Sequence, residues 1–132
     1  MSHVLFVCLH NAGRSQMSRA FFDAAAGGRH TSSSAGSIAD PAGHVHPEVV
    51  TVMAELGHDL TGIRPQRLTT ELAQQADVVV TMGCGDSCPF IPGKRYLDWE
   101  LTDPKGQSVD AVRTTRDEIA ERVKALIVEL DT

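Results

Sequence analysis

The chain has 132 residues, 42% of them hydrophobic and 22% charged, the size and composition of one globular domain around one core. Its formal net charge of −5 argues against nucleic acid or an anionic membrane as partner, so an anionic substrate must be drawn by local groups. With three cysteines, an odd number, and an N-terminal apolar run too short for a signal sequence or a membrane span, the chain is expected in the reducing cytoplasm. Cysteine there is more often reactive than a structural staple.

His3 to Val7 is a short apolar, β-branched run that suits a buried strand. From Ser15 to Ala26, Met17, Ala20, Phe21 and Ala24 fall at helical spacing, and Gly27-Gly28 ends the pattern. Thr31 to Ala35 reads as a second strand closed by Gly36, and His46 to Leu56 as a helix with Pro47 in its first turn. Leu68 to Gln75 is expected to be helical. Asp77 to Met82 is the clearest strand, and Lys94 to Asp98 a short further one. Val112, Ile119, Val123, Leu126, Ile127 and Leu130 mark a long amphipathic helix up to Leu130. No repeat or low-complexity linker divides residues 1–132, so one domain is expected. Strands alternating with helices predict a three-layer α/β domain with a parallel sheet and helices on both faces. In such a domain ligands bind beyond the C-terminal strand ends, where the loops after Val7 and Met82 lie.

The first of these loops carries the strongest chemical signal. Cys8-Leu9-His10-Asn11-Ala12-Gly13-Arg14-Ser15 joins a strand to a helix, so its backbone N–H groups and the helix N-terminus can cradle an oxyanion. Arg14 offers a two-pronged guanidinium, and Ser15 can hydrogen-bond the Cys8 sulfur. Asn11 and Gly13 suit unusual backbone angles. The same positive surroundings favour a thiolate nucleophile at Cys8. His10 is read as a variable position of the loop, and Arg64 and Arg67 as a solvated basic pair. Trp99 is open to either packing or shaping the pocket mouth.

Cys8, followed by Arg14 and Ser15 directly after the first strand, resembles the low-molecular-weight protein tyrosine phosphatase family. Cys-x-x-Asn-x-x-Arg-Ser-Gln-Met, from Cys8 to Met17, resembles the cysteine-dependent arsenate reductases of that fold. The likeness extends through Ser34-Ala35-Gly36, Val45-His46-Pro47, Asp77 to Met82, Cys84 to Pro89 and Asp103-Pro104. It implies a four-stranded parallel sheet, with Cys8, Arg14, Ser15 and Asp103 as catalytic residues. Residues Leu9, His10, Asn11, Ala12, Gly13, Arg14 and Ser15 would form the oxyanion loop. Through its Asp-Pro motif Asp103 takes the general-acid role, and Pro104 holds its backbone extended. Asp98 and Glu100 are neighbours outside the motif.

A phosphatase needs only nucleophile and acid, whereas a reductase must also supply two electrons, which thiols deliver by disulfide exchange. Cys84 and Cys88 stand on the loop after the Asp77–Met82 strand, with Gly83 and Gly85 to let that loop move. Zinc is the rival use of a cysteine pair, but there is no second pair and no histidine at ligand spacing, so no metal is expected. The resemblance to thioredoxin-coupled reductases implies that Cys8 forms an adduct with arsenate, that Cys84 attacks Cys8, and that Cys88 attacks Cys84. The spacing of Cys84 and Cys88 is shorter than is usual there, and Gly13 replaces a further loop cysteine of some members. Arg19 stands where potassium-binding members carry Glu, which argues against potassium. Cys-Gly-Asp-Ser-Cys-Pro is more similar to actinobacterial enzymes, some of which use mycothiol and a mycoredoxin as reductant. Of the two routes the mycothiol one is favoured. No bound cofactor is expected, only arsenate and a thiol co-substrate. Hydrolysis of phosphotyrosine is the alternative, though Tyr96 and Trp99 are the only aromatic residues near the acid loop. A purely oxyanion-binding module would need neither Asp103 nor a poised thiol.

Overall fold

The computed structural model describes residues 1–83 and 92–132. Its elements are β1 (His3–Cys8), α1 (Arg14–Ala26), β2 (Thr31–Gly36), α2 (Pro47–Ala54), α3 (Thr70–Gln75), β3 (Val78–Thr81), β4 (Arg95–Asp98) and α4 (Val109–Leu130). All four strands are parallel, in the order β2-β1-β3-β4. Phe6 pairs with Ser34 on one side and with Val80 on the other.

Alternate residues of the buried strands serve opposite faces, which explains their unbroken apolar runs. Val4, Phe6, Cys8, Val78 and Val80 join Phe22, Val52, Ile119 and Val123 in a core under α1, α2 and α4. Leu5, Val7 and Val79 pack with Ala73 and Ala76 beneath α3 on the other face. Trp99, only 7% exposed, rests on Phe6 with ring centroids 5.9 Å apart, so its role is packing. Tyr96 packs on the α3 face beside the Leu5–Val79 cluster.

Side-chain caps decide two helix starts. Thr69 accepts from Leu72 N, so α3 begins at Thr70 rather than at Leu68. Ser108 accepts from Ala111 N, and α4 starts three residues before the first periodic apolar position, Val112. Glu55 clamps α2 to α4 by accepting from Arg113 and from the buried Arg116. The Arg113 hydrogen bond, helped by Arg116, holds the Glu55 carboxyl at about 2, below its ordinary 4.5. A depressed carboxyl stabilises the fold above its unfolded value and loses that contribution as pH falls through the folded one. Glu55→Gln should therefore lower the melting temperature at pH 7. That difference should close as the pH is taken from 4.5 to about 2, followed by circular dichroism melts.

Order 2-1-3-4 places the reversal of chain direction across the sheet at β1 and β3. In parallel sheets ligands bind outside the C-terminal strand ends at such a switch point. The loop from Cys8 to Ser15 leaves β1 there. Among the described residues, no helix is long and apolar enough to cross a membrane.

Candidate active site

Cys8 ends β1 and Arg14 begins α1, so residues 9–13 must turn the chain from strand to helix in five steps. Asn11 makes the turn with a positive φ of 53°, the one described non-glycine residue that does so. Gly13, at φ −150° and ψ −92°, lies outside the helical and extended regions, in keeping with the expectation of unusual angles, though not in the left-handed region. It is glycine for want of room: a Cβ there would meet Pro104 Cγ at 2.5 Å and His46 Cδ2 at 3.5 Å. Gly36, at the end of β2, is likewise pressed against the loop. A Cβ on it would lie 2.6 Å from Leu9 O and 2.7 Å from Asn11 N.

The side chains of the loop form a hydrogen-bond relay whose direction can be read from one backbone group. Gln66 N can only donate, and it donates to Asn11 Oδ1 at 2.8 Å. Gln16 Nε2 donates to the same oxygen at 3.0 Å. The amide of Asn11 must then present Nδ2 to Ser15, and it donates to Ser15 Oγ at 2.7 Å. Ser15 Oγ lies 2.9 Å from Cys8 Sγ, and against a thiolate the hydroxyl is the only possible donor of that bond. Asn11 N adds a second donor to the sulfur at 3.3 Å. Cys8, Asn11 and Ser15 are all essentially excluded from water, so these groups meet the sulfur in a low-dielectric setting. Gln66 escaped the sequence analysis, since nothing in the sequence says that a residue 55 positions away fixes an amide in the loop.

Asn11→Ala removes the relay and leaves Ser15 and Gln66 N without their partner. We expect a loss of about 1–3 kcal/mol of stability, the cost of stranding buried polar groups. Alkylation of Cys8 by iodoacetamide at neutral pH should also slow, which peptide mass mapping can follow separately from Cys84 and Cys88.

Arg14 is buried, and its guanidinium lies between the loops after β3 and β4. Nη1 donates to Leu101 O at 3.4 Å, and Nη2 is 3.6 Å from Asp103 Oδ2. The other Asp103 oxygen accepts from Lys105 N at 3.0 Å, a short turn over Pro104 that aims the carboxylate at Arg14. On the third side stands Gly83, whose φ of +81° suits glycine and whose missing Cβ would fall 2.7 Å from Arg14 Nη1. Gly83 is thus explained by backbone angle and by the arginine beside it. Cys84, Cys88 and Gly85 lie outside the described residues.

Cys8, Arg14, Ser15 and Asp103 are therefore brought to one place. Asp98 instead accepts from Thr81 Oγ1 at 2.8 Å, and Glu100 is exposed. Leu9 turns its carbonyl to Ile38 N, and Ala12 O accepts from His46 N. His10, half-buried, lines a recess on the flank of the loop with Asp40, His44, His46 and Lys105. Arg64 and Arg67 are exposed, as expected, but are not idle: they donate to Ala42 O and Ala39 O and so brace the segment that walls this recess. Arg19 pairs with Asp23 at 3.6 Å.

Residues 3–132 match the family model described as low molecular weight phosphotyrosine protein phosphatase. The chain belongs to this family. Within it, the chain is 41% identical over 129 residues to a putative arsenate reductase of Halobacterium salinarum, covering 96% of this chain and 91% of that one. It is 35% identical over 133 residues to the glutaredoxin arsenate reductase of Synechocystis, covering 98% and 99%. Among solved structures, a thioredoxin-dependent arsenate reductase of Corynebacterium glutamicum superposes with a TM-score of 0.84 at 39% identity. That match covers 99% of this chain, but the chain spans only 62% of that protein's length. The four-stranded parallel sheet with helices on both faces is the fold of this family.

Proposed function

We propose that the chain is an arsenate reductase, acting as one catalytic domain in the cytoplasm, with Cys8 as nucleophile. The observation that carries this reading is the relay from Gln66 N through Asn11 and Ser15 to Cys8 Sγ, with Arg14 and Asp103 beside it. The Cys8 sulfur attacks arsenic as its thiolate. The loop N–H groups and Arg14 hold the remaining oxygens, and Asp103 gives its proton so that the displaced oxygen leaves as water. Binding alone would need neither a proton donor nor a sulfur held by two donors. Relatives named as arsenate reductases along the whole chain support arsenate over phosphate. So does the placement of the two nearby aromatic residues: Trp99 is buried on Phe6, and Tyr96 packs on the opposite face of the sheet, so neither walls an aryl slot.

A second thiol then completes the reduction. If Cys84 attacks Cys8 sulfur, the arsenic leaves with the bonding pair as arsenite and a Cys8–Cys84 disulfide forms. Cys88 next attacks Cys84, frees Cys8, and leaves a Cys84–Cys88 disulfide for a thioredoxin-like dithiol. In the other route mycothiol attacks the arsenic adduct, and a mycoredoxin finishes the reduction without Cys84 or Cys88. The thioredoxin dependence of the Corynebacterium protein supports the first route, as does Gly83, where the chain enters the 84–91 segment against Arg14.

The routes separate in one assay of arsenite release by wild type, Cys84→Ser and Cys88→Ser, each supplied with thioredoxin and its reductase or with mycothiol and mycoredoxin. The cascade predicts turnover with thioredoxin that both substitutions abolish. Undiminished turnover of both variants with mycothiol would establish the other route. No arsenite from wild type with either system would overturn the assignment.

A further inference from the structure

His46 ties together the parts that the proposed reaction needs in register. Its backbone N–H donates to Ala12 O of the oxyanion loop at 2.9 Å, and its carbonyl accepts from Val49 N and Val50 N to start α2. Its ring carbon Cδ2 lies 3.5 Å from the point where a Gly13 Cβ would stand, and Pro104 Cγ lies 2.5 Å from the same point. The imidazole and the Pro104 ring thus crowd together on the residue before Arg14. Charged and titratable groups reach His46 from each neighbouring element. Asp103 and Lys105 face it from the acid loop, His10 from the oxyanion loop, and Glu48 from the first turn of α2. Asp40 and His44 share its recess.

We propose that His46 is a positioning residue for Asp103: its uncharged ring seats the acid loop on Gly13 and leaves the carboxyl turned to Arg14. The proposal rests on Asp103 as the acid, but not on arsenate as the substrate. An imidazolium at His46 would instead pull the Asp103 carboxylate toward itself and away from Arg14. Burial pushes His46 below its ordinary 6.5. Asp103 and Glu48 pull it up, and His10 and Lys105 press it down again. The ring is accordingly neutral at neutral pH and charges only as the pH falls through that lowered value.

Two measurements on the full chain test this. In the first, the imidazole Cε1–H resonance of His46, assigned by its loss in His46→Asn, is titrated in wild type and in Asp103→Asn. Its midpoint should lie below 6.5 and should move lower still in Asp103→Asn, where the neighbouring carboxylate is gone. An unmoved midpoint would overturn the coupling. In the second, kcat/KM of wild type, His46→Asn and His46→Gln is followed against pH with arsenate and with an aryl phosphate. The ratio of variant to wild type should rise about two- to fivefold from neutral to acid pH, the size of a part-exposed charge interaction. A ratio that does not change with pH means that His46 is only structural, and sinks the proposal. Turnover of the aryl phosphate alone would refute arsenate reduction and still leave both tests of His46 standing.

Discussion

Cys8→Ser should release no arsenite above background with either thiol system, a fall of about 10⁴-fold or more of the kind seen when a nucleophile is removed. The reason is chemical as well as geometric. A serine in this position still turns its hydroxyl to Ser15 and to the Asn11 N–H, which stand 2.9 and 3.3 Å from the sulfur, so the cradle survives. Its hydroxyl cannot form a disulfide, however, and therefore cannot pass on the two electrons that arsenic must receive. The variant should bind phosphate and arsenate with dissociation constants close to those of wild type, measured by calorimetry, because Arg14 and the loop amides are unchanged. Lost binding together with lost turnover would mean that the sulfur matters to the folding of the loop rather than to the reaction.

Gly36→Ala should be the most damaging single methyl group outside the loop itself. Its Cβ would stand 2.6 Å from Leu9 O, 2.7 Å from Asn11 N and 2.8 Å from His10 C, all backbone atoms. No rotamer change relieves a backbone clash, and Gly36 is pinned from below by its own hydrogen bonds to Gln66 O and from Leu68 N. The oxyanion loop must therefore lift. Overpacking of this kind costs about 1–3 kcal/mol, and a displacement near 1 Å at a catalytic loop costs on the order of 10²-fold in rate. Thermal melts and arsenite release should both register it. A variant with wild-type turnover would show that the loop has slack between Cys8 and Ser15.

These two positions also show what could be read from the sequence. All eight expected elements are present, because period and composition report local backbone preference and the core faces of buried strands. That Cys8, Arg14 and Ser15 stand together was legible because they lie within eight consecutive residues, and strand-to-helix geometry brings such residues together. The place of Asp103 beside Arg14 was legible only through the Asp-Pro motif; nothing local distinguishes it from Asp98, which the structure engages with Thr81. Gly13 was recognised for its backbone angles but not for its packing: its neighbour Pro104 stands 91 positions away, and packing at that range leaves no local trace. Gln66 acts through its backbone N–H, which any residue but proline supplies, so no residue type could have announced it. His46 belonged to a motif without a role until the ring was seen against Gly13 and the acid loop.

The oxyanion loop alone does not distinguish arsenate from phosphate, so the decisive measurement is a direct comparison under one set of conditions. Wild-type protein supplied with thioredoxin and its reductase, or with mycothiol and mycoredoxin, is given arsenate and, in parallel, an aryl phosphate. Arsenite release should be catalytic, depend on the thiol system, and exceed phosphate release in kcat/KM. Catalytic phosphate release that is indifferent to the thiols, with no arsenite formed, would contradict the account and return the chain to phosphomonoester hydrolysis.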